Sequence, residues 1–181
     1  MSLPRLALAT CLFAATAAQA EIKGVPADMP CQTIDDAFQI CGAETIFAES
    51  LFEGLDAIDA VFNTSDGLQA IAIVEQAEDG SDLSISTLQQ DALGVLAEAA
   101  GVDVTEIAVI ERSAHLLEGA SHPTLVYRSV VDDVSYVYSN TIVVTDDTIA
   151  QFITAEPGAA VLSATHRTTH TRFLAQIEHL N

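Results

Sequence analysis

The sequence predicts an α+β fold in which two helices cover an antiparallel β-sheet, an α-β-α sandwich. Consecutive runs rich in Val, Ile, Thr and Tyr, joined by short turns, are typical of antiparallel strands. One amphipathic segment in the middle of the chain and another at its end each need a sheet on which to bury an apolar face. Because no repeat or linker interrupts residues 21–181, we predict a single domain.

The composition narrows the possible functions. The chain has 181 residues, of which 26 are acidic and 6 are basic, so its formal net charge is −20. A nucleic-acid partner is excluded because phosphate neutralisation needs Lys and Arg side chains that this chain lacks. Docking on an anionic lipid surface is disfavoured for the same reason. The apolar fraction of 50% predicts a folded core and not an intrinsically disordered chain.

Residues 1–20 have the pattern of a secretory signal peptide. Arg5 supplies a positive start, an apolar run extends from Leu6 to Ala18, and the small-x-small sequence AQA ends at Ala20. The run of roughly 13 residues is shorter than the ~20 that a membrane span needs. We therefore predict cleavage after Ala20, export to the periplasm or the medium, and a soluble mature protein without a transmembrane segment.

The three cysteines divide between the signal peptide and the predicted domain. The sequence LATC at positions 8–11 loosely resembles a lipobox, so lipidation of Cys11 is an alternative to simple cleavage. Cys31 and Cys41 most simply form one disulfide in an oxidising compartment. This bond would hold residues 21–37, a proline-containing lead-in without regular periodicity. Metal and redox roles are less favoured, because the pair lacks both a second Cys pair and CxxC spacing.

Three short strands and one helix are predicted next. Short apolar runs predict the strands, at Phe38–Cys41, Asp56–Phe62 and Leu68–Glu75. The sequence NTSDG, between the last two runs, has the composition of a hairpin turn. A helix is predicted from Ser84 to Ala100, with Ser86 and Gln89 spaced as a capping box and Gly101 as its left-handed C-terminal residue. Its apolar side chains form one stripe, which contains Ile85, Leu88, Ala92, Val95, Leu96 and Ala99.

Four further strands and a terminal helix complete the predicted fold. The strands are Ile107–Leu117, Thr124–Val131, Val134–Val144 and Ile149–Thr154. Short turns separate them, at Gly119–Pro123, Asp132-Asp133 and Asp146-Asp147. Strands joined by such tight turns are antiparallel. A helix is then predicted from about Ala160 to His179.

The stretch TLVYRSVVDDVSYVYSNTIVVTDDTIAQFITAEPG, followed by a terminal helix, resembles the C-terminal half of PsbP-like domains. The resemblance covers about residues 84–180 and lies in element order and strand composition. It implies an α-β-α sandwich of the lumenal and periplasmic accessory proteins, which are typically non-catalytic. It carries no diagnostic motif, so it assigns no functional residue, and the Lys-rich character of the photosynthetic members is absent.

Two histidines of the terminal helix form the first candidate site. His166 and His170 are four residues apart, which places them on one helix face at the spacing that helical metal sites use. The same face carries the apolar side chains Leu162, Phe173, Ile177 and Leu180. Three interpretations stay open: packing residues hydrogen-bonded to the sheet, a pocket lining, or a metal pair. A zinc site would need at least three protein ligands.

The hairpin turns predict the second candidate site. If Asp132-Asp133 and Asp146-Asp147 are both two-residue loops, Tyr127 pairs with Tyr138 and Ile142 pairs with Gln151. One sheet face then gathers Leu125, Tyr127, Tyr138, Asn140, Ile142, Gln151 and Ile153. Two phenols and two amides in an apolar wall suit a small-ligand cleft. They suit equally a core whose polar groups are satisfied internally.

No catalytic residue and no cofactor is predicted, because the sequence contains no nucleophile elbow, phosphate-binding loop or zinc-protease motif. We expect an exported, soluble, non-enzymatic binding or accessory protein of the periplasm, whose partner is an unknown small molecule or periplasmic protein. One alternative is a metal-binding protein that uses the two histidines. Another is an enzyme of unrecognised class that would use Tyr127, Asn140, Gln151 and the same histidines.

Overall fold

The structure, a computed structural model, describes residues 31–41, 47–49, 59–64, 66–77, 83–131, 133–145 and 148–180. The predicted signal peptide, its cleavage site and Cys11 lie outside the described residues. So do residues 21–30 of the predicted lead-in.

The described residues form ten strands, two α-helices and one short 3-10 helix. In chain order the strands and α-helices are β1 (Cys31–Asp35), β2 (Phe38–Cys41), β3 (Phe47–Glu49), β4 (Ala60–Thr64), β5 (Gln69–Gln76), α1 (Ile85–Ala100), β6 (Ala108–Leu117), β7 (Ala120–Val131), β8 (Val134–Val144), β9 (Thr148–Pro157), α2 (Ala164–Leu174) and β10 (Ile177–His179). The 3-10 helix, Val104–Glu106, lies between α1 and β6. A seven-stranded sheet has the order β3-β4-β5-β9-β8-β7-β6, and a three-stranded sheet has the order β1-β2-β10. The neighbouring strands are antiparallel in both sheets.

The two faces of the large sheet bury different cores, which confirms the predicted α+β sandwich. α1 covers one face, where Leu93 packs with Leu125 and Ile153. α2 and the small sheet cover the other face, where Phe173 packs on Phe152. Because side chains alternate along a strand, the neighbours Phe152 and Ile153 serve opposite faces. No helix in the described part of the chain is both long and apolar enough to cross a membrane.

The N-terminus of α1 differs from the prediction. The Ser84 hydroxyl accepts a hydrogen bond from the Thr87 backbone N–H at 3.4 Å, so the cap precedes Ser86. The predicted capping box between Ser86 and Gln89 is wrong. The side-chain oxygen of Gln89 accepts a hydrogen bond from the guanidinium of Arg112 on β6 instead. Gln89 therefore bonds to the positively charged Arg112, which is distant in the chain, and not to the helix N-terminus.

The buried stripe of α1 is also rotated from the predicted one. Leu93 and Ala97 are buried although they were not assigned to the stripe, whereas Ile85 at its start is 37% exposed. The angle at which the helix crosses the sheet decides which flank is covered. The end of the helix is as predicted, because Gly101 has a φ of +66°, the left-handed conformation that glycine adopts readily.

α2 is shorter than the helix predicted from Ala160 to His179. The hydroxyl of Ser163 accepts a hydrogen bond from the His166 backbone N–H at 3.0 Å and caps its first turn. The helix ends before β10, in which Ile177 pairs with Ile40 of β2. The backbone groups of β10 bond to β2, so they cannot continue the hydrogen-bond pattern of the helix. Pairing with a strand that is distant in the chain therefore ends α2.

The predicted lead-in is not irregular throughout, because Cys31 begins β1. This strand pairs with β2 in a register that places Cys31 opposite Cys41, and a disulfide joins the two residues. The sequence CQTID has few apolar side chains, so the strand leaves little periodic signal. Since disulfides persist mainly in oxidising compartments, the bond indicates a protein that works outside the cytoplasm.

Candidate functional site

The tyrosine–amide group, which consists of Tyr127, Tyr138, Asn140 and Gln151, has the register that the turns predicted. Tyr127 pairs with Tyr138 across β7 and β8, and Gln151 of β9 pairs with Ile142 of β8. All four side chains therefore share one sheet face, the face that α1 covers. The side-chain nitrogen of Asn140 donates to the side-chain oxygen of Gln151 at 2.8 Å.

These four residues are sealed inside the sandwich. Asn140 is 0% exposed, both tyrosines are 3% exposed and Gln151 is 6% exposed. The rings of Tyr127 and Tyr138 stack with centroids 5.1 Å apart. Burial raises the pKa of both phenols above their ordinary value, so they stay protonated at neutral pH. The group is therefore a buried polar layer inside a core, in which the Asn140–Gln151 hydrogen bond pairs two of the polar atoms and the side-chain oxygen of Asn140 is left without a partner among the described residues.

The two predicted histidines lie on the opposite face of the sheet, beneath α2. His166 and His170 are both 0% exposed, which places them where the helical spacing predicted, against the sheet. The structure therefore brings the tyrosines and amides together, and separately the histidines, but the sheet divides the two groups. They cannot act on one substrate.

A continuous run of hydrogen bonds, which we call the His–Thr chain, connects the histidines to the sheet. The Oγ1 of Thr154 lies 2.8 Å from Nε2 of His166 and 2.9 Å from Nδ1 of His170. On the other side of His170, Nε2 lies 2.9 Å from Oγ1 of Thr141. That oxygen lies 2.7 Å from Oγ1 of Thr124, which in turn lies 2.9 Å from Nδ1 of the half-buried His115.

The direction of this chain follows from a single carbonyl group. Nε2 of His166 also lies 3.2 Å from the backbone carbonyl oxygen of Thr154. A carbonyl can only accept, so Nε2 of His166 carries the proton and donates to both oxygens of Thr154. The Thr154 hydroxyl then finds an acceptor for its own hydrogen by donating to Nδ1 of His170. This ring, protonated on Nε2, donates to Thr141.

The last two hydrogen bonds of the chain, from Thr141 to Thr124 and from Thr124 to His115, have the same donor-to-acceptor direction. The Thr141 hydroxyl, having accepted from the ring, donates to Thr124, and Thr124 donates to Nδ1 of His115. Each threonine of the chain thus accepts one proton and donates one. The chain is satisfied only if Nδ1 of His170 carries no proton.

Charged groups lie at both ends of the His–Thr chain. Nδ1 of His166 is buried without a hydrogen-bond partner, and it lies 3.4 Å from a carboxylate oxygen of Glu156. The same carboxylate accepts a hydrogen bond from the Ser163 hydroxyl at 2.9 Å. Near His115, Arg167 of α2 donates two hydrogen bonds to the carboxylate of Glu111 on β6.

Burial lowers the pKa of His166 and of His170. The pKa of His170 falls well below its ordinary value because the ring is desolvated and has His115 and His166 as neighbours. Desolvation also lowers the pKa of His166, although Glu156 opposes the effect. Both rings are therefore neutral at pH 7.

The contacts of the histidines do not favour a metal site. Both ring nitrogens of His170 and Nε2 of His166 already bond to threonine hydroxyls, so a metal ion would have to displace them. Among the described residues, the side chains that are close enough to share an ion are Cys31, Cys41 and Glu178, and the two cysteines are bonded to each other.

Sequence reasoning missed the threonines of the His–Thr chain. Thr124 pairs with Thr141 in the same hairpin register that placed the tyrosines, so their alignment could be predicted from the turns. The contact of these threonines with His170 could not be predicted from the turns, because it depends on how α2 crosses the sheet. The pairing of β6 with β7, which brings His115 near Thr124, includes an irregularity near Ile110 that shifts the register.

The exposed edge of the large sheet is a further feature that the sequence did not reveal. Among the described residues, no strand pairs with the outer side of β6. Its apolar side chains Val109, Ile110 and Leu116 are 41%, 40% and 70% exposed. This part of the molecule therefore offers both unpaired backbone groups and apolar side chains to a partner.

No protein-family model and no curated protein sequence matches this chain. The structure is similar to a crystal structure from Bacteroides thetaiotaomicron VPI-5482, with a TM-score of 0.47, 11% identity, and coverage of 80% of this chain and 45% of that one. It is also similar to LpqN, involved in cell envelope biogenesis of Mycobacterium tuberculosis, with a TM-score of 0.37, 12% identity, and coverage of 63% of this chain and 64% of that one. The chain spans less than two thirds of either protein.

Proposed function

We propose that the protein is a non-enzymatic accessory protein of the periplasm that binds another protein along β6. The observation that carries the proposal is the exposed edge of the large sheet. β6 is ten residues long and carries three exposed apolar side chains. An extended segment of a partner can add to such an edge, with main-chain hydrogen bonds supplying affinity and side chains supplying specificity.

The edge is poorly protected against association. Natural edge strands are often guarded by Lys, Pro, other charges or a β-bulge. β6 contains neither Lys nor Pro, and its charges Glu111 and Arg112 and its register irregularity lie in the first half of the strand, away from Leu116. The charged groups around it are mainly acidic. Asp103 and Glu106 precede the strand and Glu118 follows it, all three exposed. With a net charge of −20 on the whole chain, an extended segment that carries Lys or Arg is the complementary partner.

The two buried polar groups support a role without catalysis. A general base or nucleophile must come within hydrogen-bond reach of its substrate. The tyrosine–amide group and the histidines His166 and His170 are instead buried, and their hydrogen bonds go to other residues of the fold. The predicted signal peptide and the disulfide favour the periplasm as the site of action, and the resemblance to PsbP-like domains implies a similar accessory role.

Site-specific photo-crosslinking tests the proposal. A photoreactive amino acid at position 116 of the exported protein should crosslink one partner in the native compartment. The same probe at Thr171, an exposed position on α2, is the matched control and should not crosslink that partner. The crosslinked protein, once identified and purified, should bind the wild type. Leu116→Asp should weaken binding about tenfold or more, because a charge replaces an apolar contact (~1.4 kcal/mol).

Two outcomes would overturn the proposal. One is crosslinking that does not depend on position. The other is a purified partner that binds wild type and Leu116→Asp equally well. Because Leu116 is 70% exposed, this substitution should leave the fold intact, and circular dichroism will check that it does.

A further inference from the structure

We propose that α2 is a pH-sensitive element, released from the sheet when a proton binds to Nδ1 of His170 and breaks the His–Thr chain. The proposal does not depend on the binding role of β6. It rests on the direction of the hydrogen bonds, on the complete burial of His170, and on the position of α2, which packs on the large sheet and leads directly into β10 of the small one.

A proton on Nδ1 of His170 has no place in the hydrogen-bond pattern. In the neutral ring this nitrogen accepts from the Thr154 hydroxyl at 2.9 Å. Once protonated, it becomes a donor, and Thr154 would have to accept from His166 and His170 together. The hydroxyl hydrogen of Thr154 would then lose its acceptor inside the core. A buried cation and an unsatisfied hydroxyl are both unfavourable, so the ring is driven toward water.

His166 responds differently to the same change in pH. Its unprotonated nitrogen, Nδ1, faces the Glu156 carboxylate at 3.4 Å, so an added proton would create an ion pair. Nε2 of His166 would keep its proton and its bonds to Thr154. His166 can therefore take up a proton without reversing the chain. His170 cannot, and this makes His170 the group whose protonation releases the helix.

Other charged groups surround α2 but do not reproduce this effect. On the helix itself and on the segments around it, they are Asp66, Glu111, Arg112, His115, His122, Arg128, Glu156, Arg167 and Arg172. Arg112 bonds to Gln89 of α1, on the opposite face of the sheet. Hydrogen bonds from Arg167 hold the pKa of Glu111 below its ordinary value, so this ion pair persists in mildly acidic solution. Desolvation also lowers the pKa of His115 and of His122. His115 ends the His–Thr chain on the sheet, so a proton on its Nδ1 disturbs the bond from Thr124 and not the bonds of α2. His122 lies outside the chain and serves as the control.

The direction of the pH dependence follows from the difference between the pKa of His170 in the released state and its pKa in the docked state. A released His170 has a pKa near the ordinary value of about 6.5, whereas burial lowers the pKa of the docked ring. The released state therefore binds protons more readily, and docking of α2 weakens as the pH falls below about 6.5. Above that pH neither state binds a proton at His170, so docking should no longer change with pH through this residue.

Movement of α2 would also affect the small sheet. β10 follows α2 directly and pairs with β2 through Ile177, Glu178 and His179. Phe173 and Leu174 of α2 share a core with Phe38 of β2. Release of the helix should therefore loosen β10, while α1 on the opposite face of the large sheet keeps its contacts.

Hydrogen exchange of the full chain tests the proposal. Between about pH 7.5 and about pH 5, after correction for intrinsic exchange, the amides of α2 and β10 should lose protection by about tenfold or more, and those of α1 should not. His170→Gln keeps a donor and an acceptor but does not titrate, so its α2 should show no such pH dependence. His122→Gln, on the same sheet face but outside the His–Thr chain, is the matched control and should behave like wild type.

A measurement on the wild type decides the matter if His170→Gln does not fold. The ring signals of His170 in an NMR titration should shift with the same midpoint at which the α2 amides lose protection. If the ring titrates while α2 stays protected, the proposal is wrong. It is equally wrong if α2 keeps its protection throughout the range, or if His170→Gln loses α2 protection on acidification as the wild type does.

Discussion

The most unusual residues of this protein are two fully buried histidines that carry no charge at neutral pH. His166 and His170 are both 0% exposed, and threonine hydroxyls occupy the ring nitrogens that face the sheet. Their pKa values are low because the core disfavours the imidazolium, so their contribution at neutral pH comes from packing and hydrogen bonding.

The first prediction concerns the size of that contribution and its independence from metal. His170→Ala should lower the free energy of unfolding by about 1–3 kcal/mol near neutral pH, because it removes packing and orphans the hydroxyls of Thr141 and Thr154. Denaturant unfolding measures the change. EDTA should leave the melting temperature of the wild type unchanged. A decrease with EDTA in wild type that is absent in His166→Ala would favour a metal site instead.

The second prediction concerns the tyrosine–amide group on the other face. Asn140→Leu should destabilise the fold by about 1–3 kcal/mol, because the buried side-chain oxygen of Gln151 loses its donor. Adding Gln151→Leu should recover part of this loss, since it removes the unpaired amide of Gln151, while the buried Tyr127 hydroxyl still lacks its hydrogen bond to Asn140. Urea unfolding of the wild type, both single variants and the double variant measures the coupling. Strictly additive effects would argue against a direct hydrogen bond.

At the scale of elements, the small sheet depends on segments that are far apart in the chain. β1 and β2 come from the N-terminal part of the described chain, whereas β10 lies at its end. Each has five residues or fewer, too short for independent stability. Phe38 anchors the sheet on the large one, because its ring meets that of Phe152 at a centroid distance of 5.4 Å.

The third prediction is that the disulfide stabilises this small sheet. Protein recovered from the exported fraction should show no free thiol in denaturant without reductant. Replacing Cys31 and Cys41 together by Ser should cost about 2–3 kcal/mol, because the unfolded chain regains the entropy of the opened loop. Hydrogen exchange should then become faster in β2 and β10 and stay unchanged in α1. Two titratable thiols in the wild type would refute the disulfide.

At the scale of the whole molecule, electrostatic repulsion opposes folding. The 26 acidic side chains far outnumber the 6 basic ones. Two exposed ion pairs, Arg167 with Glu111 and Arg172 with Asp66, connect α2 to other parts of the protein. Exposed pairs of this kind contribute little to stability, so they do not offset the repulsion among the remaining carboxylates.

The fourth prediction follows from this imbalance. Raising the NaCl concentration from about 0.01 M to about 0.3 M shortens the range of the repulsion, so the melting temperature should rise by a few degrees. Calorimetry at constant pH measures the change. Arg172→Gln, which removes one exposed ion pair, should show a similar rise. If the melting temperature is constant or falls, ion pairs contribute more than repulsion does.

The sequence by itself determined the local features of the fold. Val, Ile, Thr and Tyr runs with two-residue turns determined the meander and its register, so Tyr127, Tyr138, Asn140 and Gln151 were correctly assigned to one face. Helical spacing determined that His166 and His170 face the sheet. These features depend on the alternation of side chains along a strand and on their rotation around a helix, and both are properties of neighbouring residues.

Only the tertiary structure decided which distant groups meet. The order of the described strands puts β6 at an edge of the large sheet and places β9 between β5 and β8. The crossing of α2 over β9 sets His170 between Thr141 and Thr154, and pairing with β2 ends α2 early. Such contacts form when separate elements pack together, so no local pattern records them. For this reason the two predicted groups of polar residues lie on opposite faces of the sheet, and the direction of the His–Thr chain could be derived only from the folded structure.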